Sequence, residues 1–234
     1  MRVLFVEHDH VSPPGPVGDR FAEHGYAVEE LLVVPGERFH DPAVELDFPD
    51  PTHYDAIVPM GAKWSAYAHD EIGSWVLPEL AMLRQAHEAG VPVLGICFGG
   101  QLLALAHGGD VTASRHPEVG WTVVQSDDEA LVHSGPWFQW HYDRWTVPPG
   151  AREIARNAAA SQAFVLGRNL ALQFHPELTT AMLEGWLANG GRDAAAARGL
   201  DPDVLVRHTQ WLEQDARRRA TQLVDGFLQR VASR

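Results

Sequence analysis

The chain holds 234 residues, 45% of them hydrophobic and 21% charged, which fits one globular domain with at most a modest appendage and argues against a collagen-like, coiled-coil or disordered chain. With 31 acidic against 18 basic residues, the formal net charge of −13 repels phosphate backbones and anionic membranes, so nucleic acid is a poor partner. Cys97 is the single cysteine, which rules out an internal disulfide and agrees with a reducing compartment.

Residues 3–6 form a short apolar run broken by Glu7, with no small-residue cleavage pattern, and read as a strand rather than a signal peptide. No window approaches the roughly 18 apolar residues of a spanning helix, so a soluble, cytoplasmic protein without membrane contact is expected. The Pro- and Gly-rich residues 12–18 are expected to form a loop. Further strands are predicted over 27–34, 54–58 and 91–96. Between the last two, residues 71–89 carry Ile72, Val76, Leu80, Leu83 and Ala86 at helical spacing and end at Gly90. Strands alternating with helix-length segments point to a parallel sheet covered on both faces, a three-layer α/β sandwich. Beyond about residue 110 the texture turns antiparallel, with strand-like pieces at 120–125, 145–147, 153–155, 163–166 and 170–174. Residues 193–199 are expected to link to a long tail helix over 201–231, with Leu205, Leu212, Leu223, Phe227 and Val231 broadly on one face.

The most informative run is Val93-Leu94-Gly95-Ile96-Cys97-Phe98-Gly99-Gly100-Gln101-Leu102-Leu103. A buried strand, then Gly-x-Cys-x-Gly, then an apolar helix is a nucleophile elbow: the sharp turn lifts the central side chain above the sheet edge, and the glycines relieve crowding around it. The N-terminus of the following helix favours the thiolate. A thiolate needs a base and a group to orient it. Leu172-Gln173-Phe174-His175-Pro176-Glu177 supplies an imidazole and a carboxylate at a strand end, giving a Cys97, His175, Glu177 triad. A second His-Pro-Glu, at His116-Pro117-Glu118, follows no buried strand and is assigned to a loop or strand entrance. An oxyanion hole would draw on the backbone N–H of Phe98 and on the loop at Gly61 after the third strand. His8 and His10 flank an aspartate, but nothing completes a metal site; neither metal nor cofactor is expected.

These two motifs, in this order, resemble the class I (triad-type) glutamine amidotransferases over about residues 1–188. Glu118-Val119-Gly120-Trp121, Phe138-Gln139-Trp140-His141-Tyr142-Asp143 and Gln162-Ala163-Phe164 are weaker matches. The resemblance implies a flavodoxin-like glutaminase domain, placed at 1–190, with a helical extension at 191–234 packed on it. It also implies attack by Cys97 on the side-chain amide of glutamine, ammonia leaving with a proton from His175, and hydrolysis of a γ-glutamyl thioester. By family position Gln101, His141 and Asp143 would bind the substrate. Where the family often has Gly-Gly-Pro before Ser-x-Tyr, this chain has Gly61-Ala62-Lys63 before Trp64-Ser65-Ala66-Tyr67. No P-loop or synthetase-sized region is left over, so any ammonia acceptor is expected on a separate synthetase. The resemblance is strongest to free-standing GMP-synthase-like chains. A γ-glutamyl peptidase using the same triad on another γ-glutamyl amide, and a catalytically silent binding or regulatory module, are the two alternatives.

Overall fold

In the computed structural model, which describes residues 1–233, the N-terminal apolar run becomes the strand β1 (Arg2–Glu7). It pairs in parallel on one side with β2 (Ala27–Leu32) and on the other with β3 (Ala56–Pro59). Then β4 (Val93–Ile96) pairs with β3, and β9 (Asn169–Leu172) with β4, both in parallel. The sheet continues antiparallel through β8 (Ser161–Leu166), β7 (Arg152–Arg156), β5 (Asp110–Ser126) and β6 (Gly135–Thr146), in the order β2-β1-β3-β4-β9-β8-β7-β5-β6.

Side chains alternate across a strand, so β1 serves both faces. Val3 and Phe5 join the core under α1 (Gly15–Glu23) and α6 (Pro202–Arg230), with Val17, Phe21, Leu223 and Phe227. Leu4 and Val6 join the opposite core under α2 (His69–Glu88) and α3 (Phe98–Ala106), with Ile72, Val76, Leu83 and Leu102. A third apolar cluster holds α4 (Thr180–Trp186) against Phe138 of β6 and Leu205 of α6. The expected three-layer sandwich with its C-terminal helix is therefore the observed architecture. Among the described residues no helix is long and apolar enough to cross a membrane.

The long helix α6 starts where Asp201 accepts a hydrogen bond from the N–H of Asp203, with Pro202 in the first turn. It is tied down by Asp225, which takes Arg20 and His24 of the α1 region, and by the Trp121 indole donating to Thr209 at 3.0 Å.

Several expectations need correction. Residues 12–18 are not all loop, because α1 begins at Gly15: Pro16 is preset for a first helical turn, and Val17 and Phe21 share the buried face. Residues 193–199 are not a plain linker, since Arg192–Ala196 forms a short helix, α5, whose Ala195 is buried. The pieces at 120–125 and 145–147 are fragments of a ribbon made by strands of 17 and 12 residues. His116 and Glu118 lie inside the first of these strands, beside a register shift between Ala113 and Glu118.

Candidate active site

Cys97 stands between β4 and α3 with φ 50° and ψ −105°, the only non-glycine residue of positive φ among those described. Such backbone costs about 1–3 kcal/mol and persists only where its surroundings enforce it. They do so here: the Cys97 N–H donates to Leu172 O at 2.8 Å and the Gly99 N–H to Met60 O at 2.9 Å. A Cβ at Gly99 would lie 2.0 Å from Pro59 O, and one at Gly95 would lie 2.6 Å from Gly99 O, so the turn closes only with glycine at both positions. As first residue of α3, Phe98 carries an N–H without an intrahelical partner.

The segment following β9 is held by Gln173 N–H on Gln162 O and His175 N–H on Phe138 O, both at 2.9 Å. This places His175 beside Cys97 and sets its Nδ1 2.8 Å from Glu177 Oε1, with both side chains buried. Among the described residues Nε2 has no hydrogen-bond partner, which leaves it the unengaged ring nitrogen of His175. Burial disfavours the imidazolium, but the Cys97 thiolate and the Glu177 carboxylate outweigh it and hold His175 well above the ordinary histidine value. The Trp186 indole packs edge-on against the imidazole, 4.9 Å between centroids, and donates to Val11 O and Ser12 Oγ.

Gly61 closes the other side. A Cβ there would come 3.0 Å from His175 Cε1 and 3.8 Å from Cys97 Cβ, so the loop after β3 touches both groups. Opposite it, Asp143 accepts from Ser65 Oγ at 2.6 Å and Tyr67 Oη at 2.9 Å. His141 is clamped between Asp143 O and Glu118 Oε2, at 2.9 and 3.2 Å. The Gln101 amide reaches toward Asp143 O and Gln173 Oε1, both at 3.4 Å. Cys97, Gly61, Phe98, Gln101, His141, Asp143 and His175 thus share one cleft of about 410 Å³, while Glu177 sits behind His175. No three potential metal ligands gather among the described residues.

The family described as glutamine amidotransferase class-I matches residues 66–190, more than half of the chain, including the elbow and the His175 segment. The chain belongs to this family. The GMP synthase [glutamine-hydrolyzing] of Aeropyrum pernix is 33% identical over 142 residues, 55% of this chain and 25% of that one. This amidotransferase chain therefore spans about a quarter of the length of that curated relative. Its fold matches a glutamine amidotransferase from Thermotoga maritima with a TM-score of 0.84 at 24% identity, covering 98% of each chain. A glutamine amidotransferase from Methylobacillus flagellatus gives 0.83 at 26% identity, covering 97% of this chain and 94% of that one.

Sequence reasoning missed several contributors to the amidotransferase cleft. Glu118 is half of the discarded His-Pro-Glu, yet its carboxylate takes His141, Asn157 and Gln162. Those hydrogen bonds outweigh burial and hold it below the usual glutamate range. The family departure at Gly61-Ala62-Lys63 keeps its downstream hydroxyls, which both go to Asp143. Trp186, Gly191 and Ala194 line the cleft from beyond β9, where no motif marked them.

Proposed function

We propose that the chain hydrolyses the side-chain amide of glutamine through Cys97, His175 and Glu177. The observation that carries this is the strained Cys97 elbow facing a buried imidazole whose other nitrogen is fixed by Glu177 at 2.8 Å. Cys97 Sγ attacks the amide carbon as its proton resides on His175; the oxyanion is met by the Phe98 N–H and the Gly61 loop. Collapse of the tetrahedral adduct breaks the C–N bond, and His175 gives its proton to the departing ammonia. Water, deprotonated by His175, then cleaves the γ-glutamyl thioester to glutamate. Glu177 fixes the imidazole tautomer and supports its charged form. Asp143, with lone pairs remaining beside two hydroxyl donors, takes the substrate ammonium, and Gln101 and His141 complete that wall. Residues 1–190 form the glutaminase unit in this proposal and 191–234 a helical extension. A synthetase consuming the ammonia lies outside these 234 residues; no cofactor takes part.

A second substrate is favoured by the size and lining of the cleft. At about 410 Å³, with Phe39, Trp140 and Trp186 on its walls, it has room for a leaving group larger than ammonia, as a γ-glutamyl peptidase requires. The test measures ammonia from glutamine and amine from γ-glutamyl peptides, with Cys97→Ala as control. Turnover of at least one substrate, lost by about 10⁴-fold or more in Cys97→Ala, is expected. Turnover surviving that substitution would overturn the proposal.

A further inference from the structure

One ionisable pair in the interior has no part in the triad chemistry. His8, just past β1, and Glu79, in the middle of α2, are both fully buried, with His8 Nε2 at 2.9 and 3.1 Å from the two Glu79 oxygens. The ring is packed by Trp75 and Phe98, with centroids 5.6 and 4.8 Å away. Its other nitrogen, Nδ1, lies 3.2 Å from Gly61 O. A carbonyl oxygen only accepts, so Nδ1 carries a proton and donates it there; the second ring nitrogen shares its hydrogen bond with Glu79.

The consequence runs through the peptide plane. In a trans peptide the carbonyl and the next N–H point in opposite directions, so holding Gly61 O sets the direction of the Ala62 N–H. The preceding peptide is held in the same manner, with Met60 O taking the Gly99 N–H of the elbow helix. Both N–H groups able to serve as the second oxyanion donor are therefore aimed from behind, one by α3 and one by His8. No proline between Met60 and Trp64 stiffens this segment. Apolar side chains would fill the same space without desolvating two ionisable groups, so stability alone does not account for the pair.

We propose that His8, oriented by Glu79, is a positioning residue that fixes the 61–62 peptide of the oxyanion hole. This rests on the hydrolytic reaction proposed above, and the experiment separates the two. The full chain is assayed with whichever γ-glutamyl amide it turns over. In His8→Leu/Glu79→Leu no charge is left unpaired in the interior, and the hydrogen bond to Gly61 is lost. The expected result is a fall in kcat of about 10- to 100-fold, less than removal of a whole donor. KM, and the rate of Cys97 alkylation by iodoacetamide, which forms no oxyanion, stay as in the parent. In His8→Asn/Glu79→Leu the amide nitrogen takes the place of Nδ1, and kcat recovers. If the leucine pair does not fold, His8→Gln against His8→Asn decides the same question, because the glutamine amide reaches toward Glu79 and the asparagine amide toward Gly61. Asparagine then keeps kcat and glutamine loses it. An unchanged kcat, a joint fall of kcat, alkylation and substrate affinity, or no recovery with asparagine overturns the role of His8. A parent chain that turns over nothing, or a Cys97→Ala chain that still does, overturns the hydrolytic reaction and this role with it, before any His8 variant is made.

Discussion

In the proposed hydrolysis His175 needs its proton when the amine departs, and the two groups beside it decide over what pH range it has one. Its value in the folded chain is raised, so the stabilisation from the His175–Glu177 contact is complete below the ordinary histidine value near 6.5 and is lost only as pH rises through the higher folded value. Turnover is accordingly expected to hold level through neutral pH and to decline on the alkaline side. Glu177→Gln takes away one of the two groups that raise the value. The alkaline decline then moves to lower pH and kcat falls about 10²- to 10⁴-fold, with KM little changed. A pH–rate profile of both proteins checks this, and an alkaline limb that does not move would show that Glu177 leaves the imidazole unaffected. At this scale the sequence is legible where chemistry is local. Cys97 is marked by flanking glycines, and His175 and Glu177 are two residues apart. His8 and Glu79 are 71 positions apart, and nothing in either neighbourhood announces the other. Glu118 is misjudged for the same reason, since its partners His141, Asn157 and Gln162 arrive through strand pairing that no short pattern encodes.

Between residue and molecule stands the elbow, whose shape depends on three elements meeting. Because a Cβ on Gly99 would fall 2.0 Å from Pro59 O, Gly99→Ala pushes α3 off β3 rather than merely straining a turn. A loss of about 3 kcal/mol in urea unfolding is expected, together with loss of turnover. A shift in midpoint equivalent to under about 1 kcal/mol would mean that the two backbones separate easily. The centre of the parallel half is readable because β3, β4 and β9 are buried on both faces and appear as continuous apolar runs, while the edge strand β2 keeps partly exposed positions. The β5–β6 ribbon is not: exposed and buried positions are interleaved with His116, Pro117, His141 and Asp143, and the register shift at Ala113/Glu118 breaks the two-residue period. The first turn of α1 is hidden by Pro14, Gly15 and Pro16, which look like loop residues and act as a helix start.

For the molecule as a whole, the acidic excess shows up inside as well as outside. The Glu7 carboxyl at the end of β1 is pushed up to about 7, chiefly by burial and then by Glu30 and Asp9. A raised carboxyl contributes its stability below the ordinary value near 4.5 and loses it as pH climbs through 7. Glu7→Gln therefore has little effect at pH 4 and stabilises the fold by about 1–2 kcal/mol at pH 8, after allowance for solvent screening. Thermal unfolding of both proteins across this range is the measurement, and parallel curves would count against it. The covering of the cleft by Trp186, Gly191 and Ala194 bears on any attempt to transplant the enzyme. A graft that borrowed residues 1–190 for fusion to another protein would carry the nucleophile but crop part of the rim around it. A useful cut would fall after α6, whose Leu223 and Phe227 complete the core beneath β1.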